Sequence, residues 1–274
     1  MTLRKMLNWT PLLLILLITG CSELSRWRHF YSAAQQADKN GEFELADELY
    51  TKAVEDARTF GVPANTYIPA LIERAQKSHS PAAWKDAVQT VINSDAKLYV
   101  VDAYTGLVSS LDYSGKSSEA LAAAKAFADY SGTTFGTSSV EYAVALYEQC
   151  FVLANAGRGR EALPMLSSAK RILDANDFLD KNDLMIGLAE VEADVQDQIG
   201  DRKAAIKAFS EASALASGTV AERDIHARFS RLLHKYGMES EAHQQYKAYL
   251  QKPDESPVLP RPLPTYQEFQ RARP

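Results

Sequence analysis

Apolar residues recur along most of this chain at intervals of three or four, the spacing of one face of an α-helix. The pattern is clearest near the C-terminus, at Ile225, Phe229, Leu232, Leu233 and Tyr236. A period near 3.6 residues predicts an amphipathic helix with one buried face. Glycine and proline are few before residue 250, so long helices are permitted through most of the sequence.

A repeated frame divides these helical stretches. It consists of a glycine, an alanine five positions later, and further residues, mostly apolar, four and seven positions after that alanine. The five copies are Gly41-Ala46-Tyr50-Ala53, Gly115-Ala120-Ala124-Phe127, Gly157-Ala162-Leu166-Ala169, Gly200-Ala205-Phe209-Ala212 and Gly237-Ala242-Tyr246-Tyr249. A sixth copy lacks the glycine, with Ala82, Ala87, Val91 and Ser94. Five of only thirteen glycines occupy this context, so chance is a poor explanation.

The frame predicts pairs of antiparallel helices. Glycine after a helix supplies the left-handed residue that helix ends favour. The small alanine then lets the second helix approach the first closely. Helix starts are predicted by an N-cap and N1 pair at Ser80-Pro81 and by capping-box spacings at Ser138/Glu141 and Thr219/Glu222.

Two segments are predicted to lie outside the helices. Residues 131–139 (SGTTFGTSS) have the composition of a loop between pairs. Residues 253–274 contain six of the eleven prolines and are predicted to form a Pro-rich tail, either disordered or packed along the last helices. A partner-binding motif in this tail is the alternative.

The frame resembles the tetratricopeptide repeat, most closely at residues 41–53 (GEFELADELYTKA). The resemblance implies an all-α fold over residues 25–252, a right-handed superhelix (α-solenoid) of about six antiparallel helix pairs. The spacings between the frame alanines run from 33 to 43 residues, mostly longer than the usual period of about 34. A non-repetitive helical bundle is the alternative.

The N-terminus has the three parts of an export signal, with basic Arg4 and Lys5, an apolar run over residues 12–18, and small residues before Cys21. Its ending, Ile-Thr-Gly-Cys, resembles the lipobox of bacterial lipoproteins. The resemblance implies a signal peptide at 1–20, lipidation (such as palmitate) of Cys21, and an anchor segment at 21–24. Because the following residue is Ser22, it also implies a periplasmic-facing protein on the outer membrane. An ordinary secretory signal or an uncleaved anchor is the alternative.

Composition excludes some chemistry. The formal charge is −5 and the predicted signal carries two of the cations, so the body is acidic and nucleic acid is not an expected partner. Cys150, in an apolar helical stretch, is predicted to be a buried core residue. No catalytic, metal-binding or nucleotide-binding motif is recognised, so we expect no enzyme activity, no metal site and no cofactor.

The tetratricopeptide resemblance also implies a groove lined by the first helix of each pair. Alignment on the repeat glycines assigns it Tyr31, Gln35, Tyr147, Phe151, Asn155, Glu190, Asp194, Asp197, Arg228, Arg231 and Lys235. Aromatic side chains beside charged ones suit a peptide or protein segment. The alternative is that the charges, such as Asp194 and Arg231, only pair between neighbouring repeats.

These features together predict a membrane-anchored protein-interaction scaffold or adaptor in cell-envelope assembly or remodelling. Its partners would be unidentified envelope proteins or their peptide segments. One alternative is a pilotin-like assembly factor for an outer-membrane secretion or pilus component. The other is a hydrolase whose active site the sequence does not reveal.

Overall fold

The structure, a computed structural model, describes residues 10–178, 181–219 and 221–251, with side chains from residue 25 onward. These residues form twelve α-helices and no strand. The helices are α1 (Thr10–Lys39), α2 (Phe43–Thr59), α3 (Ala64–Ser78), α4 (Pro81–Asn93), α5 (Val100–Tyr113), α6 (Ser117–Thr134), α7 (Val140–Asn155), α8 (Gly159–Ala175), α9 (Lys181–Ile199), α10 (Arg202–Ala216), α11 (Glu222–Lys235) and α12 (Glu239–Gln251). The predicted all-α class, with helix pairs repeating along the chain, is confirmed.

The helices belong to two compact units, residues 1–123 and 124–274, and the boundary falls inside α6. In the first unit, each helix from α1 to α4 packs against the next helix in the chain. In the second unit, each helix from α7 to α11 does the same, and α7 also contacts α9. Consecutive helices joined by short turns pack antiparallel, which gives each unit its helix pairs.

The turn within a repeat depends on glycine. All five repeat glycines have positive φ angles, between 72° at Gly115 and 87° at Gly200. Each one lies two residues before the next helix begins. In the copy without a glycine, His79 takes the left-handed conformation with φ 49°, and α4 begins at Pro81 with Ser80 as its N-cap. The predicted helix ends, and the predicted start at Ser80-Pro81, are therefore confirmed.

The frame alanines form the seam between paired helices. All six have 0 % of their surface exposed: Ala46, Ala87, Ala120, Ala162, Ala205 and Ala242. Ala205 shows the packing, since it shares a buried cluster with Ala193, Phe229 and Leu233. A larger side chain at this position would separate α10 from α9 and α11, so the seam requires a small residue.

Three local predictions were wrong. The loop is shorter than predicted because α6 continues to Thr134, with Ser131 fully buried. The N-cap of α7 is Ser139, whose hydroxyl accepts a hydrogen bond from the Tyr142 amide at 3.1 Å. No capping box forms at Thr219, whose hydroxyl donates to the carbonyl of Ala216, while the Glu222 carboxylate accepts from the Gly218 amide. Hydrogen bonds to the end of α10 and to the turn that follows it take the place of the predicted capping box.

The predictions at the two ends of the chain are not tested. Cys21 lies within the bounds of α1, but its side chain is among those that the structure does not describe. The predicted Pro-rich tail, 253–274, lies outside the described residues. Within the described part of the chain, no helix combines the length and apolar character needed to cross a bilayer.

We predict that Ala205→Leu lowers the free energy of unfolding of the second unit by about 2 kcal/mol, because extra methylene groups overpack the seam. Urea unfolding followed by circular dichroism measures this loss. The matched control is Lys207→Leu on the exposed face of α10, which we expect to change stability by less than about 0.5 kcal/mol. Equal losses of unfolding free energy in Ala205→Leu and Lys207→Leu would contradict the conclusion that Ala205 lies at a tightly packed contact between helices.

Candidate functional site

One open groove in the second unit is the candidate site. It is formed by one face of α7, α9 and α11 and has a volume of about 640 Å³. We call it the α7/α9/α11 groove. Its lining residues are Tyr147, Phe151, Asn155, Gly187, Glu190, Val191, Asp194, Asp197, Phe209, Arg228, Arg231, Leu232 and Lys235.

The repeat places equivalent positions of successive helices side by side in this groove. Tyr147 and Phe151 lie ten and six residues before Gly157, and Glu190 and Asp194 lie ten and six residues before Gly200. Residues four apart share one helix face. The glycine turn fixes where each first helix ends, so the same face of α7 and α9 meets the groove.

Aromatic rings form one end of the groove. The ring centroids of Tyr147 and Phe151 lie 6.5 Å apart at this end. Phe209 also lines the groove, beside Arg228, and stacks on the buried Phe229 at 5.5 Å. Burial, followed by the charge of Glu148, raises the pKa of the Tyr147 phenol. The phenol therefore stays neutral at physiological pH.

Gly187 makes room for this aromatic end. A Cβ atom at this position would lie 3.0 Å from the Tyr147 hydroxyl oxygen, closer than ordinary contact. Glycine inside a helix costs about 1 kcal/mol relative to alanine. Gly187 lies in the middle of α9, where no turn requires it, and the space for Tyr147 is the feature that accounts for it.

Charged residues from α9 and α11 form the other end. Arg228 donates to the Glu190 carboxylate through Nη1 and to the Asp194 carboxylate through Nη2, both at 2.5 Å. Its guanidinium also lies 5.7 Å from the ring centroid of Phe209. Lys235 pairs with Asp197 at 2.7 Å, and the Tyr236 hydroxyl donates to the same carboxylate at 2.7 Å. The acidic face of α9 is thus tied to the basic face of α11.

Burial changes how the pair of carboxyl groups titrates. Desolvation raises the pKa of both Glu190 and Asp194 above the ordinary values, even though Arg228 favours their charged forms. For Arg228, burial lowers the pKa, but the charges of Asp194 and Glu190 outweigh it and the net direction is upward. The cluster therefore depends on the arginine to hold two carboxylates in a partly desolvated place.

The groove contains every residue of the second unit that the sequence assigned to it, and the other two residues assigned to the groove belong to the first unit. Tyr31 and Gln35 belong to α1 in the first unit. The Tyr31 hydroxyl donates to Glu73 at 3.1 Å and its ring stacks on Trp27. Burial, then the charge of Glu73, raises the pKa of Tyr31 to about 12. For Asp194 we considered pairing with Arg231 of the neighbouring repeat, and its ion pair is instead with Arg228 of that same repeat.

Sequence reasoning missed four residues of the groove. Gly187 and Val191 lie on α9, and Leu232 lies on α11, but none occupies an aligned groove position. Phe209 comes from α10 and was assigned only to the repeat frame. An isolated glycine in the middle of a predicted helix was the one available signal, because such a glycine usually has a packing or functional reason.

Cys150 is a core residue, as predicted. It is fully buried, its Sγ contacts the Ala162 carbonyl at 3.6 Å, and burial raises its pKa to about 12. Ser230, at the equivalent repeat position, donates to the Ala242 carbonyl at 2.8 Å. The same contact in two repeats indicates a structural role for this position. Among the described residues, no cluster of three His, Cys, Asp or Glu side chains could hold a metal ion.

Comparisons with known proteins show the fold and leave the function open. The chain matches no protein-family model and no curated protein. It is similar in structure to BtubC (BKLC) from P. vanneervenii, with a TM-score of 0.54 and 12 % sequence identity. The match covers 87 % of this chain and 98 % of the BtubC chain. At this identity, the likeness concerns the helical-repeat fold alone.

We predict that Arg228→Met lowers the free energy of unfolding by about 2 kcal/mol at pH 8. This is less than the roughly 3–5 kcal/mol of a fully buried pair, because the Arg228 side chain is 38 % exposed. The carboxyl groups then have raised pKa values in the folded state, so their destabilising effect shrinks as the pH falls and they take up protons. Urea unfolding between pH 8 and pH 5 measures the change.

Glu190→Gln and Asp194→Asn, added to Arg228→Met, provide the control for this pH dependence. The triple variant has no carboxyl group left in the cluster, so its stability difference from the wild type should no longer narrow towards pH 5. If the loss of unfolding free energy in Arg228→Met stays constant or grows as the pH falls, the conclusion that Arg228 stabilises these two carboxylates is wrong.

Proposed function

We propose that this protein is a lipid-anchored scaffold of the bacterial envelope that binds an extended segment of a partner protein in the α7/α9/α11 groove. The observation that carries the proposal is the composition of that groove, in which an aromatic end adjoins paired charges on an open surface. Aromatic anchors surrounded by polar groups are the usual anatomy of protein interfaces.

The balance of charges in the groove defines the partner segment. Three acidic side chains face three basic ones, Glu190, Asp194 and Asp197 against Arg228, Arg231 and Lys235. A uniformly acidic or basic ligand would meet repulsion from one wall. We therefore propose a segment that places a large apolar side chain against Tyr147 and Phe151 and carries flanking residues of both signs.

The geometry of the groove supports a chain segment as the ligand. Helices α7, α9 and α11 present their faces in succession, which gives an elongated surface open to solvent. Asn155 and Lys235 are exposed, and both lie near the C-terminal ends of their helices. An amide nitrogen and an ammonium group each carry more than one N–H, so these side chains would donate to the carbonyl groups of an extended ligand in addition to the contacts they already make, such as that of Lys235 with Asp197.

The proposed anchor rests on the N-terminal sequence. Acylation of Cys21 after removal of residues 1–20 would hold the protein to a membrane, and several acyl chains give stable attachment. Ser22 favours the outer membrane. Only residues 22–24 would separate the lipid from the predicted repeat domain, so the scaffold would hold its partner close to the bilayer.

We predict that the protein incorporates an acyl-chain probe in bacterial cells and that Cys21→Ser abolishes the labelling. The thioether and amide links both require this residue as the processed N-terminus. In-gel detection of the probe provides the measurement, and Cys150→Ser is the matched control, expected to label fully because that thiol is buried. Undiminished labelling of Cys21→Ser would refute the anchor.

We predict that Gly187→Leu removes partner binding while the fold is retained, because the new side chain occupies the space beside Tyr147. A photo-crosslinking amino acid at the exposed position Lys235 should give discrete adducts with envelope proteins in living cells. Gly187→Leu should reduce these adducts at least tenfold.

The control for this experiment is Asn182→Leu, which places the same side chain at an exposed position of the same helix. Its adducts should match those of the wild type, and circular dichroism should show that both variants are folded. Adducts that survive in folded Gly187→Leu would place the binding surface elsewhere.

A further inference from the structure

We propose that the first unit carries a binding site for a neutral saccharide, in a pocket between the C-terminal ends of α3 and α5. We call it the α3/α5 pocket, and its volume of about 330 Å³ lies at the lower end of the range for small-ligand sites. Gln76 and His79 line it from the end of α3, Ser109, Ser110 and Tyr113 from the end of α5, and Trp84 from α4. The site does not depend on the proposed function, since these residues all belong to the first unit.

A tryptophan packed against a glycine forms the floor of the pocket. A Cβ atom at Gly106 would overlap the six-membered ring of Trp84, so any other residue here would push the ring out of its place. Gly106 lies in the middle of α5, where no turn requires a glycine and where glycine weakens a helix. Because Trp84 and Gly106 both line the pocket, this contact accounts for the glycine and gives the pocket an aromatic floor.

A hydrogen bond joins the two sides of the pocket. The Ser110 hydroxyl on α5 donates to the backbone carbonyl of His79 at 3.0 Å. His79 is the left-handed residue of the turn that follows α3. The bond holds this turn against α5, so the pocket is formed before any ligand arrives. A site that is already formed loses less entropy when it binds.

The charge of the lining favours an uncharged ligand. Among the described residues that line the pocket, none carries a carboxylate, ammonium or guanidinium group, in contrast to the α7/α9/α11 groove. Two helices also end beside the pocket, α3 at Ser78 and α5 at Tyr113, and helix C-termini carry partial negative charge. A phosphate or carboxylate ligand would therefore lose hydration without gaining an opposite charge.

The polar side chains of the pocket suit a ligand with hydroxyl groups. Within the described part of the chain, the side chains of Gln76, Ser109 and Tyr113 make no hydrogen bond. An amide, an aliphatic hydroxyl and a phenol can each donate and accept hydrogen bonds, as the hydroxyl groups of a sugar do. A hydrocarbon ligand would cover these groups without pairing them, which is costly.

The aromatic side chains suit the apolar faces of the same ligand. Tyr113 is 93 % exposed at the rim of the pocket, above the floor formed by Trp84. Their rings offer apolar surface to C–H groups, while the polar side chains bind hydroxyl groups. A sugar ring combines C–H faces and hydroxyl edges in one neutral molecule, so a saccharide matches every feature of the lining.

The test titrates the purified full chain, labelled with ¹⁵N-tryptophan, with the neutral sugars tri-N-acetylchitotriose, maltotriose and mannotriose at millimolar concentration. We expect at least one of them to shift the indole N–H resonance of Trp84. The resonance of Trp27, which is buried in α1, should stay in place. Single tryptophan-to-phenylalanine variants assign the resonances.

Variants of exposed residues then locate the site without disturbing the core. Tyr113→Ala should weaken sugar binding roughly fivefold or more, because it removes a ring from the pocket. The double variant Gln76→Ala/Ser109→Ala should weaken it as well, because it removes hydrogen-bond partners. The matched control is Leu98→Ala, which truncates another large apolar side chain of the first unit, 82 % exposed, and should bind as the wild type does.

Three outcomes would overturn the proposal. They are an unchanged Trp84 resonance with all three sugars, equal weakening of binding in Tyr113→Ala and Leu98→Ala, and a shift caused by a neutral peptide of glycine, serine and glutamine but by none of the sugars. The proposed function is tested separately, since Gly187→Leu blocks the groove of the second unit and should leave sugar binding unchanged.

Discussion

The close approach of paired helices at a small, fully buried alanine is the contact on which the rest of this structure depends. Each copy of the frame places that alanine against the preceding helix, and Ala205, between α9 and α11, is the clearest case. A glycine turn then sets where each first helix ends. With the seam and the turn both fixed, the outward faces of successive first helices fall into register. The groove is a consequence of that register, because residues at equal distances from successive repeat glycines become neighbours in space.

The charged residues of the groove hold two of its walls together. Arg228 spans Glu190 and Asp194, and Lys235 spans to Asp197, so the α9 and α11 walls hold each other at a fixed distance. Partial burial raises the pKa of both carboxyl groups, as expected where charged groups are paired at a cost in solvation. What remains for a ligand is the aromatic end. This division explains why we propose a ligand with an apolar anchor and mixed charge.

The sequence predicted the repeat well because few residues can replace those of the frame. Glycine adopts positive φ without strain and occupies the turn in five copies, while His79 takes the left-handed conformation in the sixth. Alanine recurs at the seam in all six copies, so both positions leave a periodic pattern in the sequence. The groove residues of α7, α9 and α11 could be found by counting back from each glycine. Phe209 and Gly187 could not, since their roles depend on which neighbour each one meets across helices. The end of α6 was also mispredicted, because burial of Ser131 outweighed a loop-like composition.

Hydroxyl-radical footprinting in isolated envelopes tests the central claim, that the α7/α9/α11 groove is the binding surface, most directly. The oxidation rates of Tyr147 and Phe151 in the envelope are compared with those in the purified full chain, from which the partner is absent. The account predicts strong protection of both rings in the envelope, while Phe43, 61 % exposed in the first unit, is oxidised equally in the two samples. Equal oxidation of Tyr147 and Phe151 in both samples, with protection of Phe43 instead, would contradict it.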